Sequence, residues 1–132
     1  MGSNDGLQRV YPALRYRDAH AAIRWLEKVL GFDAAAVYPG EDNAVAHAQL
    51  AFEGGLVMLG SATPNVDVGA VGVYLVTDDV DAVHARATSA GAEFVQELAE
   101  MDYGGREFTV RDPEGNSWSV GTYQPALDSG SG

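Results

Sequence analysis

Hydrophobic positions along the chain repeat at helical spacing in two separate places. After Asp18, apolar residues recur three and four positions apart until Gly31, and a second such stripe runs from Asp79 to Gly91. Aspartate is a favoured helix N-cap, and glycine readily adopts the left-handed conformation that ends many helices. The sequence therefore predicts two amphipathic helices of nearly equal length, about sixty residues apart.

Extended segments surround both predicted helices in the same order, with one before each helix and three after it. Turn-forming residues separate these segments, because glycine permits positive φ and proline fixes φ near the value that turns require. The turns are expected at Pro39-Gly40, Gly54-Gly55, Gly104-Gly105 and Asp112-Pro113-Glu114-Gly115. The strands are expected at 10–16, 32–38, 45–52, 56–60, 71–76, 92–98, 107–110 and 118–123.

This order predicts an α+β fold of two paired βαβββ modules, which form a curved mixed sheet with the helices outside. The modules are expected at 7–60 and 71–124 of a single domain, joined by a linker at 61–70. The ends, 1–6 and a tail at 125–132, carry no periodic pattern and are expected to be unstructured. Because a helix covers only one face of its sheet, a concave face remains, and ligand binding is expected there.

Composition narrows the classes of function. The 132 residues are 46% apolar and 20% charged, which is typical of one globular domain. A net charge of −11 argues against nucleic acid as a partner, since phosphate binding needs clustered Lys and Arg. The same charge is compatible with a cationic ligand, and the need to keep the protein soluble also explains it. No apolar run could span a bilayer, and no signal-peptide pattern opens the sequence, so a cytoplasmic protein without membrane contact is expected. The absence of cysteine excludes disulfides, thiolate nucleophiles and Cys-ligated zinc.

Three segments in the predicted order resemble the glyoxalase/bleomycin-resistance (vicinal oxygen chelate) superfamily. They are PALRYRDAHAAIRWLEKVLGF at 12–32, VYLVTDDVDAVHARATSAGAEF at 73–94 and REFTVRDPEGNSWSVGTY at 106–123. The resemblance implies the paired βαβββ fold and, commonly, a homodimer in which both chains frame two pockets. The superfamily includes metal-dependent lyases, extradiol dioxygenases, epimerases, thiol transferases and antibiotic-binding proteins, so the fold alone does not fix a function.

The resemblance also implies where the metal ligands of the enzyme members would lie. One is a His seven residues before the Asp of each helix, and the other is a Glu or Gln four residues after each turn glycine. Counted along this chain, the positions hold Tyr11, Gly72, Leu59 and Ser119, with Met58 as the neighbour of Leu59. Leu and Gly side chains cannot ligate a metal, and neutral Ser or Tyr are poor ligands for Zn²⁺, Ni²⁺ or Fe²⁺. We therefore predict no metal, no cofactor and no catalytic residue, as in the metal-free bleomycin-resistance-like members.

Alternation along the strands predicts which side chains face the concavity. In the strand at 45–52, Ala46, Ala48, Leu50 and Phe52 are expected to pack under a helix, and Val45, His47, Gln49 and Ala51 to face the hollow. The predicted ligand-binding residues are Tyr11, Arg15, His47, Gln49, Tyr74, Ser119 and Tyr123, with Tyr103 and Arg106 from the Gly104-Gly105 loop. This set contains rings, neutral hydrogen-bonding groups and fixed cations, but no carboxylate.

Several interpretations stay open at this point. His47 and Gln49 could satisfy each other, and Arg15 could pair with Asp112 or Glu107. The sequence favours a binding protein that sequesters a planar or cationic small molecule, such as an antibiotic, as a homodimer. One alternative is an enzyme: a lyase, isomerase or dioxygenase with a metal relocated near His47, or one with an unfamiliar metal-free reaction. Another is a regulatory or structural dimer whose pocket is vestigial. Trp118 is expected to pack beneath the second helix.

Overall fold

The computed structural model describes residues 8–64 and 68–125, and it contains two modules with the same order of elements. The expectations for the ends and for the middle of the linker, 65–67, fall outside the described residues. The first module has β1 (Ala13–Tyr16), α1 (Ala19–Trp25, continued by a π-helical turn at Leu26–Leu30), β2 (Asp33–Pro39), β3 (Val45–Phe52) and β4 (Gly55–Ser61). The second has β5 (Gly72–Val76), α2 (Val80–Ser89), β6 (Glu93–Glu100), β7 (Arg106–Arg111) and β8 (Ser117–Gly121). The predicted α+β class with paired βαβββ modules is confirmed.

The strands form two four-stranded mixed sheets of equivalent topology. The strand order is β1-β4-β3-β2 in one sheet and β5-β8-β7-β6 in the other, and the pairs β1–β4 and β5–β8 are parallel. Ala13 pairs with Met58 in the first sheet as Tyr74 pairs with Ser119 in the second. Equivalent positions of the two modules therefore lie 61 residues apart.

Both helices begin as the sequence predicts. The side chain of Asp18 accepts a hydrogen bond from the backbone N of Ala21 (3.0 Å), and that of Asp79 accepts one from the backbone N of Ala82 (3.1 Å). Gly31 and Gly91 follow the helices with φ of 80° and 77°. The first helix holds one residue more between its cap and its glycine, and the π-helical turn at Leu26–Leu30 accommodates that residue.

Two predicted strands lose two or more residues at one end. β1 begins at Ala13 rather than at residue 10, because Pro12 has no N–H to contribute to a ladder. β8 ends at Gly121 rather than at residue 123, because its partners end there: Gly121 pairs with both Val76 and Glu107. As a result, Tyr11 and Tyr123 lie beside the sheets rather than within them.

The predicted alternation in β3 is wrong at its first two positions. Val45 is buried in the core and Ala46 is exposed, whereas Ala48, Leu50 and Phe52 are buried as expected. The pairing of β2 with β3 changes register between Tyr38 and Pro39, and this bulge turns the start of β3 over. His47 and Gln49 keep the predicted side of the sheet.

One core joins the two modules. The helices contact each other, and each packs on the sheet of its own module. Trp118 is fully buried, and its ring meets Phe32 of the first module edge-on, with the ring centroids 5.7 Å apart. Phe32 also packs against Phe52. No helix of the described segments is long and apolar enough to cross a membrane.

Buried hydrogen bonds reinforce the contact between modules. Asp112, only 3% exposed, accepts hydrogen bonds from the hydroxyl of Tyr16 (2.6 Å) and from Nε1 of Trp118 (3.1 Å). Thr77, which is equivalent to Tyr16 in the second module, donates its hydroxyl to Glu53 of the first module (2.7 Å). The alternative in which Arg15 pairs with Asp112 or Glu107 is wrong. Other donors occupy both carboxylates, and Nη1 of Arg15 donates to the backbone O of Ser61 at 3.1 Å.

Candidate functional site

Each sheet has one face covered by the core and its helix. We call the opposite face, on which the sequence analysis expects the ligand, the outer face of the sheet. On β7, Phe108 and Val110 enter the core, so Glu107 and Thr109 lie on the outer face. The register sets Thr109 beside Ser119, and their hydroxyl oxygens are 2.7 Å apart. Ser119 in turn pairs with Tyr74. The outer face of the second sheet therefore presents a connected polar row, of which Ser119 and Tyr74 were predicted from the sequence.

Three tyrosines and Pro125 line an open cavity of about 390 Å³ at the end of this row. Tyr103 and Tyr123 place their ring centroids 5.3 Å apart at an interplanar angle of 71°. The hydroxyl of Tyr74 donates to the backbone O of Tyr123 at 2.5 Å, which fixes the position of the Tyr74 ring. We call Tyr74, Tyr103 and Tyr123 the tyrosine cluster. All three were predicted as ligand-binding residues, and the structure brings them together from β5, the β6–β7 loop and the segment after β8.

A buried carboxylate adjoins the tyrosine cluster. Glu107 is 8% exposed and accepts a hydrogen bond from the hydroxyl of Tyr103. This hydrogen bond, aided by desolvation and by the negative charge of Glu107, raises the pKa of Tyr103 to about 12. Burial, and then the charge of Glu107, also raise the pKa of Tyr74. The sequence-based expectation of a site without a carboxylate is therefore wrong, because Glu107 shares the outer face with Thr109.

The outer face of the first sheet carries a second group of rings. Tyr38 and His47 are cross-strand partners whose rings stack with centroids 5.9 Å apart. Nε2 of Gln49 lies 3.3 Å from Nε2 of His47, so these two polar side chains do contact each other, as one interpretation of the sequence held. Tyr38 was not predicted. The alternation of β2 and its pairing with β3 are the signals that would have identified it.

The remaining predicted site residues lie apart from both groups. Tyr11 is 39% exposed and precedes β1, and Arg15 is half-buried beside Ser61. Nη1 of Arg106 lies 3.0 Å from a carboxylate oxygen of Asp81 on α2, so this guanidinium forms an ion pair on the surface. The participation of Tyr11, Arg15 and Arg106 in ligand binding stays a prediction.

The positions equivalent to the metal ligands of enzyme members can now be assigned by geometry. Gly54, with φ of 90°, matches Gly115, with φ of 94°, so the count in the first module starts at Gly54 rather than at Gly55. The position is therefore Met58, on the outer face, and the prediction of Leu59 is wrong because Leu59 is buried in the core. Met58 supplies no oxygen or imidazole ligand.

The four equivalent positions thus hold Tyr11, Met58, Gly72 and Ser119, with neither an imidazole nor a carboxylate among them. In addition, the residues that the structure describes contain no group of three or more His, Asp or Glu side chains able to hold a metal ion. These side chains do not fit the metal that the enzyme members use. The outer faces offer rings, hydroxyls, side-chain amides and the buried carboxylate of Glu107 instead.

Gly121 has no Cβ, so the hydroxyl of Tyr74 can pack close to the backbone of β8. Replacing Gly121 with alanine tests that contact. An added Cβ would lie 2.7 Å from the hydroxyl of Tyr74 and 3.0 Å from the backbone O of Arg106. We expect Gly121→Ala to displace Tyr74 and to lower the free energy of unfolding by about 1–3 kcal/mol, measured by urea denaturation. Gly72→Ala is the control, since no atom lies within 4 Å of its added Cβ, and it should change stability by less than about 0.5 kcal/mol. Equal effects of the two changes would contradict this packing.

Comparison with known proteins agrees with the fold. Residues 8–120 match the model of the Glyoxalase/Bleomycin resistance protein/Dioxygenase superfamily. The uncharacterized protein Rv0887c of Mycobacterium tuberculosis is 36% identical, over 83% of this chain and 71% of that protein. TioX from Micromonospora sp. ML1 superimposes with a TM-score of 0.74 at 30% identity, covering 88% of this chain and all (100%) of TioX. TnmS3, an antibiotic binding protein from Streptomyces sp. CB03234, gives a TM-score of 0.69 at 27% identity, covering 91% of this chain and 98% of TnmS3. The family match over most of the chain and the paired βαβββ modules show that this protein belongs to the Glyoxalase/Bleomycin resistance protein/Dioxygenase superfamily.

Proposed function

We propose that this protein binds a planar or cationic small molecule, such as an antibiotic, and sequesters it without chemical change. The observation that carries the proposal is the tyrosine cluster, which lines a cavity beside the buried carboxylate of Glu107. Its volume, about 390 Å³, falls within the range of about 300–1,000 Å³ that small-molecule sites occupy. The similarity to TnmS3, an antibiotic binding protein, supports the same class of ligand.

The rings of the cluster suit stacking against a flat ligand. Each favourable ring pair contributes about 0.5–1.5 kcal/mol beyond the burial of area. Hydrogen bonds already fix the hydroxyl groups of Tyr74 and Tyr103. Because these side chains are held before the ligand arrives, binding costs less conformational entropy.

The charge of the protein favours cationic ligands. The net charge is −11, and the field of such a surface raises the local concentration of cations within a Debye length of about 8 Å at physiological salt. At the cluster itself, Glu107 adds a carboxylate that is largely withdrawn from solvent. Charge and ring chemistry therefore favour the same kind of ligand.

The chemistry of the outer faces supports binding rather than catalysis. Among the described residues, His47 contacts Tyr38 and Gln49, a partnership that provides neither a nucleophile nor an orienting carboxylate. The donor set at the four equivalent metal positions does not fit the metal of the enzyme members.

The proposal also includes a cytoplasmic homodimer, in which a second copy covers exposed apolar side chains such as Val37 on β2 and Val95 on β6.

Titration of the purified protein with bleomycin and with a planar polycyclic cationic antibiotic tests the proposal. We expect at least one of them to bind with a dissociation constant below about 100 μM by isothermal calorimetry, equivalent to about 5.5 kcal/mol. Tyr103→Leu removes a ring that is half exposed, so it should weaken binding without unfolding the protein. Native mass spectrometry of the same sample measures the subunit number. Failure of every such drug to bind at this concentration would refute antibiotic sequestration.

A further inference from the structure

We propose that the tyrosine cluster and Glu107 form an aromatic cage for an alkylated ammonium group, so that the ligand carries a quaternary or methylated amine. This inference rests on the proposed function, because it places the ligand in the same cavity and specifies the chemistry of its charged end. Three features of the cavity support it: the aromatic rings that line it, the hydrogen bonds of two tyrosine hydroxyls and the position of the carboxylate.

The ring faces provide the attraction. Tyr103 and Tyr123 are in edge-to-face contact, at 71° with their ring centroids 5.3 Å apart, and both line the cavity together with Tyr74. The face of an aromatic ring carries negative electrostatic potential, and cations near ring centroids are attracted to it. An alkylated ammonium group also buries its methyl groups against these rings and Pro125, so charge and apolar surface are both accommodated.

The hydroxyl hydrogens of Tyr74 and Tyr103 point toward protein acceptors rather than toward the ligand. Tyr74 donates to the backbone O of Tyr123, and Tyr103 donates to Glu107. An anionic ligand such as a phosphate or sulfonate needs hydrogen-bond donors, and these two phenols have already used theirs. Arg106, the guanidinium of the neighbouring loop, is paired with Asp81. These three groups therefore offer an anion no donor and Glu107 repels it, while an alkylated ammonium group needs no donor.

The carboxylate adds the countercharge. Glu107 lies on the outer face next to Tyr74: a Cβ placed on Gly121 would be 2.7 Å from the Tyr74 hydroxyl and 3.2 Å from Cβ of Glu107. Because Glu107 is 8% exposed, water screens its charge less than that of the carboxylates on the surface. A cation seated on the rings therefore has a negative charge nearby that water screens only in part.

The first experiment compares charge at constant shape. Choline and its neutral isostere 3,3-dimethylbutan-1-ol are each titrated into the protein, at matched ionic strength, and followed by ¹H–¹⁵N NMR. We expect choline to bind about tenfold more tightly than the alcohol, with the largest shifts at Tyr74, Tyr103 and Tyr123. Equal affinities, or shifts confined to other residues, would overturn the proposal.

Matched variants separate the ring from the hydroxyl and the charge from the shape. Tyr103→Leu should weaken choline binding about fivefold or more relative to Tyr103→Phe, which keeps the ring. Glu107→Gln should weaken it about tenfold, and Glu41→Gln, the same change of charge at an exposed residue of the first module, should not. If Glu107→Gln fails to fold, Tyr103→Leu and Tyr123→Leu, both at substantially exposed residues, still decide the question. Equal binding by Tyr103→Leu and Tyr103→Phe would refute the cage.

The two proposals can fail separately. A planar antibiotic that binds equally well to the native protein and to Glu107→Gln, together with no preference for choline over its isostere, would overturn the cage but leave sequestration intact. Choline binding that depends on the cluster, without binding of any drug, would support the cage and refute antibiotic sequestration.

Discussion

Replacing Asp112 with alanine is expected to lower the free energy of unfolding by about 3–4 kcal/mol. The carboxylate accepts hydrogen bonds from the hydroxyl of Tyr16, from Nε1 of Trp118, from the side chain and backbone N of Asn116 and from the backbone N of Glu114. Removing it leaves buried donors without partners, and each orphaned donor costs about 1–3 kcal/mol, with incomplete additivity. Because Tyr16 and Trp118 belong to different modules, the change also loosens the contact between them.

Urea denaturation followed by tryptophan fluorescence measures this loss. Asp102→Ala, the same substitution at an exposed residue of the β6–β7 loop, is the control and should change stability by less than about 0.5 kcal/mol. Asp112→Asn should fall between the two, since its oxygen still accepts one group of donors while its amide nitrogen faces the others. A loss below about 1 kcal/mol for Asp112→Ala would show that the carboxylate does not join the modules.

Alkaline pH is expected to destabilise the protein through Tyr16. Burial, and then the hydrogen bond to Asp112 and its negative charge, raise the pKa of Tyr16 far above its ordinary value of 10.0. A group whose pKa is raised by folding stabilises the folded state below its unfolded pKa, and the stabilisation is lost as pH rises from that value toward the folded pKa. Above pH 10, Tyr16 alone should therefore reduce the free energy of unfolding by about 1.4 kcal/mol per pH unit.

Denaturation curves at pH 8, 10 and 11, for the native protein and for Tyr16→Phe, measure the effect. At pH 8 the variant should be less stable by about 1.5–3 kcal/mol, because it loses a hydrogen bond to a charged group. Between pH 10 and 11 the difference between the two proteins should shrink, since phenylalanine has no proton to lose. An unchanged difference across this interval would mean that Tyr16 does not remain protonated in the folded state.

The fold could be predicted from the sequence because its strongest signals are local. Asp18 and Asp79 cap their helices, and Gly31 and Gly91 follow them, as side-chain chemistry and backbone conformation require. The strand register was harder to predict from the sequence. Gly54 and Gly55 are indistinguishable as sequence, and only the φ of 90° at Gly54 shows which of them corresponds to Gly115. The error of one position assigned Leu59 to the wrong face of β4.

Part of the site could be predicted and part could not. Alternation identified Tyr74 and Ser119, and the Gly104-Gly105 turn identified Tyr103, but their proximity depends on how β5, β8 and the β6–β7 loop meet in space. Glu107 could have been predicted from the sequence, because Phe108 and Val110 mark the inner face of β7. The bulge that turns Val45 inward could not have been predicted, since it arises from the pairing of two strands rather than from either strand alone.

The π-helical turn at Leu26–Leu30 has a consequence for how the two halves can diverge. In a regular α-helix, one inserted residue rotates every later side chain by about 100° and would move Val29 and Leu30 off the core. The wider turn absorbs the insertion locally, and both side chains remain buried. One half of the molecule can therefore gain a residue and keep its hydrophobic contacts, so unequal lengths need not disturb the equivalent topology of the halves.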